Sequence, residues 1–172
     1  VNGFVLVLPI LFIRYGLLAI LGKEAMKRAA FYPPTEGIEK IAYLVYIITT
    51  LSLLIISLFI KTRLNSLFSF VGLGIYVLGM VLYCISIVQF AKPNENGLNL
   101  NGLYRISRNP MYLAFFLYFL GCSILTRSWL LLSALTLLQI SVHYLILSEE
   151  RWCISQFGED YKKYMKQVRR YL

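Results

Sequence analysis

Two short stretches of this chain carry polar side chains in patterns suited to chemistry. The first reads Gly102-Leu103-Tyr104-Arg105-Ile106-Ser107-Arg108-Asn109-Pro110-Met111-Tyr112 and leads into an apolar run. Pro110 suits the first turn of a helix, where its missing N–H costs nothing. Asn109 or Ser107 is placed to cap that helix, and free N–H groups at a positive dipole end suit a carboxylate or phosphate. Arg108 and Tyr112, four residues apart, project from one face if Arg108 is near-helical. The plainer reading makes Arg105 and Arg108 orientation signals at a membrane and Tyr112 an interfacial anchor.

The second stretch is Glu149-Glu150-Arg151, at the end of the last long apolar run. Carboxylates at a helix C-terminus oppose its dipole, so this pair points to a cationic or hydroxyl-bearing partner. The plainer reading pairs the two acids with Arg105, Arg108 or the lysines of the tail. His143, the only histidine, lies seven residues before Glu150 and on the same helix face. A lone histidine in a span reads first as a hydrogen-bonded core residue. Arg14 is a charge within the first apolar run, either a functional pointer or a side chain snorkelling to the interface. Cys84, Cys122 and Cys153 have no metal-ligand spacing and an odd count, so they read as structural thiols and no metal is expected. There is no Gly-rich phosphate loop and no nucleophile elbow.

Positioning these residues falls to long apolar segments. Of 172 residues, 59% are hydrophobic and 15% charged, with a mean hydropathy of +0.69. Soluble domains carry roughly 25% charged residues, so most of this surface must face lipid. A bilayer core takes about 20 apolar residues as a helix, and five runs qualify or nearly do: 3–21, 41–60, 67–91, 111–125 and 129–147. The expectation is an all-α polytopic membrane helix bundle of about five transmembrane helices. It is a single integral membrane domain, with three N-terminal helices in 1–91 and the loop, a helical hairpin and a tail in 92–172. The hairpin closes through Thr126, Arg127 and Ser128, and the fourth span is short enough to need thick flanks or shielding neighbours. Gly72, Gly74 and Gly79 suggest close helix contact.

With five crossings, 13 of the 17 basic residues fall on the side of segments 22–40, 92–111 and the tail, from Lys23 to Arg170; Lys61, Arg63 and Arg127 fall opposite. The excess of positive charge places that side in the cytoplasm and the N-terminus outside. The net charge of +9 is then a membrane signature rather than one for nucleic acid. Phe157, Tyr161, Tyr164 and Val168 recur at helical spacing against Asp160, Lys162, Lys163 and Lys166, with Gly158 breaking the continuation of the fifth helix. They predict an amphipathic tail helix lying on the membrane or closing over the bundle.

Gly102 and Tyr104, then Arg108, Pro110 and Tyr112, then Glu149 and Glu150, then Phe157, Gly158, Tyr161, Tyr164, Val168 and Arg169 follow one another in a pattern. That pattern resembles the isoprenylcysteine carboxyl methyltransferase family, itself similar to the phospholipid N-methyltransferases. The resemblance covers roughly the last 75 residues; the first two helices carry no signature. Asn109 stands where many members have His, which removes a titratable group, and Ala114 where Gly is common. The resemblance implies S-adenosylmethionine-dependent methyl transfer at the membrane–cytosol boundary. Gly102, Tyr104, Asn109, Pro110, Tyr112, Glu149 and Glu150 would hold the cofactor, and Arg108 or Arg169 would hold the acceptor. The implied acceptor is a lipidic molecule among membrane lipids, first a carboxylate on an isoprenylcysteine-like or other lipid acid, second an amine head. A membrane reductase using NADPH and a non-catalytic scaffold are the competing classes.

Overall fold

A computed structural model describes residues 2–63 and 66–172. These form an all-helical bundle. Helix α1 spans Gly3–Leu21, α2 Lys23–Ala30, α3 Ile38–Phe59, α4 Leu67–Phe90, α5 Pro110–Thr126 and α6 Trp129–Gln167. Of these, α1, α3, α4 and α6 are long and apolar enough to cross a bilayer, and α5 is a shorter apolar helix of 17 residues.

Helix α1 is irregular. It begins as a tight turn, becomes α-helical over Leu8–Leu11 and widens to a π-helical stretch over Phe12–Leu17. Its first residues dock on the end of α3: Gly3 N–H donates to the Ile60 carbonyl at 2.8 Å and Asn2 Nδ2 to the Leu58 carbonyl at 2.9 Å. Irregular backbone at membrane depth must find partners inside the protein. Here the Leu6 carbonyl accepts the hydroxyls of Tyr76 (3.0 Å) and Tyr118.

Small residues let α4 and α5 cross closely. A Cβ on Gly79 would lie 2.4 Å from the Tyr118 amide nitrogen, and one on Gly121 would lie 2.5 Å from that of Tyr76. Gly72 abuts Ile124, whereas Gly74 faces open space and is no contact residue. Gly121 is a crossing residue outside the Gly72, Gly74 and Gly79 set. At 1.5 Å per residue α5 is about 25 Å long, short of the roughly 30 Å bilayer core. Its neighbours shield it, and Ala114, Tyr118, Phe119, Cys122 and Leu125 are all buried. The expected tight hairpin is present, turning at Arg127 in the left-handed region (φ 51°) and capped by Ser128, which accepts from the Leu131 N–H.

Helix α6 does not end near Leu147. It runs through Glu149 and Glu150 to Gln167, bent at Gly158 (φ 53°, ψ −125°). The two acids are therefore interior to a helix and do not oppose a C-terminal dipole. Beyond the bend, Tyr161, Tyr164 and Val168 bury against Leu98, so the tail closes over the bundle's own 97–100 segment.

A Cβ at the α4–α5 crossing meets backbone that cannot yield. Gly79→Ala is expected to destabilise the protein by about 1–3 kcal/mol, while Gly74→Ala leaves stability unchanged. Thermal unfolding in detergent reads both.

Candidate functional site

Consecutive helical residues diverge by about 100°, so Glu149 and Glu150 face different neighbours. Glu150 turns inward. Arg108 Nη2 lies 3.0 Å from its Oε1, and Arg170 donates from Nε to Oε1 at 3.0 Å and from Nη2 to Oε2 at 2.8 Å. The Arg108 and Glu150 side chains are only 7% and 6% exposed. Of the pairings the sequence offered Glu150, the one with Arg108 holds, and Arg170 joins it.

Arg170 arrives on an extended segment that runs back along residues 107–109. The Arg108 N–H donates to the Arg169 carbonyl at 3.0 Å, and Asn109 Nδ2 and Ser107 Oγ donate to the Arg170 carbonyl at 3.1 and 3.3 Å. Two expectations change here. Neither Asn109 nor Ser107 caps α5, because Asn109 spends its side chain on the Arg170 carbonyl and Ser107 Oγ accepts from the Asn109 N–H. Arg169 contributes its backbone to this contact while its side chain is exposed, so the guanidinium at the site belongs to Arg170.

Glu149 faces a cavity of about 470 Å³, within the usual range for small-molecule sites. The Tyr112 hydroxyl donates to Glu149 Oε1 at 2.6 Å. Arg108, Asn109, Tyr104 and Glu150 also line the space. Arg108 keeps two buried donors, Nε and Nη1, without a partner in the protein. Gly102 and Pro110 do not line the cavity and instead shape the segment that does. Gly102 (φ 59°) turns the chain tightly over Gln89, whose Oε1 accepts from the Leu103 N–H at 2.8 Å. Tyr104 is buried, its carbonyl accepting the Tyr164 hydroxyl at 2.6 Å, and burial pushes its own hydroxyl above the ordinary tyrosine range. It is a neutral donor.

The N-terminal half supplies walls that no motif announces: Arg14, Arg28, Phe31, Tyr32 and Tyr46. The only signals for them were the charge inside the first span and the aromatic pair before Pro33. The Phe31 ring sits 5.0 Å from that of Trp152, and the Tyr32 and Tyr46 hydroxyls are 3.3 Å apart. Arg151 locks α6 to the start of α3 through two 2.7 Å contacts with Glu39. His143 lies outside the cavity lining and meets the Tyr171 hydroxyl at 2.7 Å, which fixes the end of the chain. A hollow of about 410 Å³ at the opposite end is lined mainly by apolar side chains such as Phe68 and Trp129 and holds no acid.

Removing one member of a buried charge cluster strands the others, at a cost on the order of 3–5 kcal/mol. Glu150→Gln should therefore lower the melting temperature far more than Glu149→Gln, whose partner is a neutral phenol. Equal shifts in parallel melts would contradict this division.

Residues 69–160, from α4 to the tail, match the family model of phospholipid methyltransferases. The chain is also 38% identical over 66 residues to methanethiol S-methyltransferase 1 of Bradyrhizobium diazoefficiens. That alignment covers 38% of this chain and 22% of the relative. The matched region holds the α4–α5 crossing, the 102–112 segment and the Glu149–Glu150 pair. On this ground the chain belongs to the phospholipid methyltransferase family.

Proposed function

We propose that the cavity binds S-adenosylmethionine and an apolar methyl acceptor at the membrane–cytosol boundary, with the basic end of the bundle in the cytoplasm. The observation that carries this reading is one cavity wall that holds the Tyr112–Glu149 pair beside Arg108. An amino-acid carboxylate suits Arg108 and the uncapped start of α5. A hydroxyl or amino group suits Glu149, and the rings of Trp152, Phe157 and Tyr161 suit a flat heterocycle.

S-adenosylmethionine, when bound, supplies a methyl group on a sulfonium sulfur; the bond to the acceptor forms as the carbon–sulfur bond breaks, its electron pair passing to sulfur. What the chain adds is placement. Tyr112 fixes the Glu149 carboxylate, the Glu150 cluster fixes Arg108, and the tail closes the cavity against water, so proximity supplies most of the effect. The acceptor reading that leads is the carboxylate of a lipid acid. The S-methyltransferase relative adds a thiol as an acceptor of similar charge once ionised. An ammonium head must first lose a proton and meets a cavity with four cationic lining residues against two acids.

Calorimetry with S-adenosylhomocysteine tests the reading. Wild-type protein in nanodiscs should bind in the micromolar range. Tyr112→Phe and Glu149→Gln should each weaken binding about tenfold, roughly 1.4 kcal/mol. A folded wild type that does not bind would sink the proposal.

A further inference from the structure

Arg14 sits inside the first span, where a charge is expensive unless it faces a partner or a cavity. It does not snorkel to the interface. The π-helical stretch Phe12–Leu17 carries it toward α4, and its guanidinium lines the same cavity as Tyr112 and Glu149. Single π-turns recur at functional sites because they re-aim a side chain at some cost to the helix.

Two of the other cations on the cavity wall have carboxylate partners. Arg108 meets Glu150, and Lys27 meets Glu24 at 2.9 Å. Arg28 donates to the Phe90 and Gly97 carbonyls at 2.9 and 3.4 Å and lies 4.7 Å over the Phe90 ring. Like Arg28, Arg14 has no carboxylate among its partners in the described residues; it is held by a neutral phenol, the Tyr83 hydroxyl, 3.3 Å from Nη1. That leaves most of its five donors and its whole charge without a counter-ion. Between Arg14 and the Glu149 wall stand Tyr32 and Tyr46. Burial chiefly raises the Tyr32 hydroxyl above its ordinary range, while Arg14 pulls it down and Glu149 pushes it up.

Building on the methyltransferase reading, we infer that Arg14 is the acceptor-side specificity residue. It binds the anionic nucleophilic head, carboxylate or thiolate, of an acceptor whose apolar body lies among the helices. A protonated amine is excluded by the same charge. The cofactor's polar groups are met at the Arg108–Glu149 wall, so Arg14 is left for the second ligand.

The test uses the full chain in nanodiscs, saturated with S-adenosylhomocysteine, in a Trp129→Phe background. Trp152, which lines the cavity, is then the only tryptophan. Octanoate, octanethiol and octylammonium are titrated against its fluorescence in the Arg14, Arg14→Gln and Arg14→Lys forms. Octanoate or octanethiol should bind and weaken at least tenfold in Arg14→Gln, with Arg14→Lys recovering much of the loss. Which of the two does so identifies carboxylate or thiolate. Octylammonium should bind no better to wild type than to Arg14→Gln. Affinity for S-adenosylhomocysteine, measured on the same samples, should stay within about twofold, which also certifies the fold. Anion binding indifferent to Arg14, preference for octylammonium, or an equal loss of S-adenosylhomocysteine affinity in Arg14→Gln overturns the inference. Failure of wild type to bind S-adenosylhomocysteine instead overturns the methyltransferase reading.

Discussion

One buried carboxylate organises the basic end of this protein. Glu150 can be buried only if its charge is met, because an unpaired ion in a low-dielectric interior costs several kcal/mol. It is met twice, by Arg108 from the segment before α5 and by Arg170 from beyond the tail helix. Three parts of the chain, far apart in sequence, must therefore converge before the cluster closes. A buried ion cluster is poor evidence of net stability, since desolvation offsets much of the attraction. Its consequence here is positional. It holds the Arg108 guanidinium with two donors still to satisfy, and it draws the chain end back across residues 107–109.

The adjacent acid has the opposite character. Glu149 is held by one phenol, and no cation among the described residues pairs with it. That contact depends on where α5 sits. Gly79 and Gly121 bring the backbones of α4 and α5 so close that sliding either helix would drive a side chain into its neighbour's main chain. Fixing α5 fixes Tyr112, one turn from its start, at the height of Glu149. Glycines at the helix crossing thus set a hydrogen bond nearer the end of the bundle.

Hydropathy made the helical spans legible because lipid demands long uninterrupted apolar runs. The polar run Glu149-Glu150-Arg151 looked like a helix end for the same reason. Polar groups end a span that faces lipid, but Glu150 is buried against Arg108 and Arg170 and Arg151 reaches Glu39, so the helix continues to the bend at Gly158. Motif spacing gathered Arg108, Asn109, Tyr112, Glu149 and Glu150 around one cavity. Neither Arg169 nor Arg170 lines that cavity; Arg170 pairs with Glu150, and the Arg169 side chain is exposed. Beyond Gln167 the chain is extended at Val168 (φ −122°, ψ 132°), where neighbouring side chains point to opposite sides. Helical periodicity carries no information about which of Arg169 and Arg170 turns inward. Phe31 and Tyr32 left only the weak signal of an aromatic pair before Pro33 and Tyr46 left none, since an aromatic near an interface is ordinary until a cavity is seen beside it.

The family match begins at residue 69, yet the cavity is not complete without the elements before it. Helix α1 brings Arg14, the 31–37 connection brings Tyr32, and α3 brings Tyr46. Arg151 clamps the start of α3 to α6 so that these walls are fixed relative to the Glu149 side. A reaction between two ligands needs two sets of contacts held at one distance. The motif-bearing half offers a set suited to a zwitterion, with donors and acceptors side by side. The half without signature offers cations, Arg14 among them, beside the aromatic rings of Phe31, Tyr32 and Tyr46, with Arg14 carried on an irregular helix. Such a division keeps the two sets of contacts separate, because the ion pairs of the Glu150 cluster come from Arg108 and Arg170 and not from the N-terminal helices.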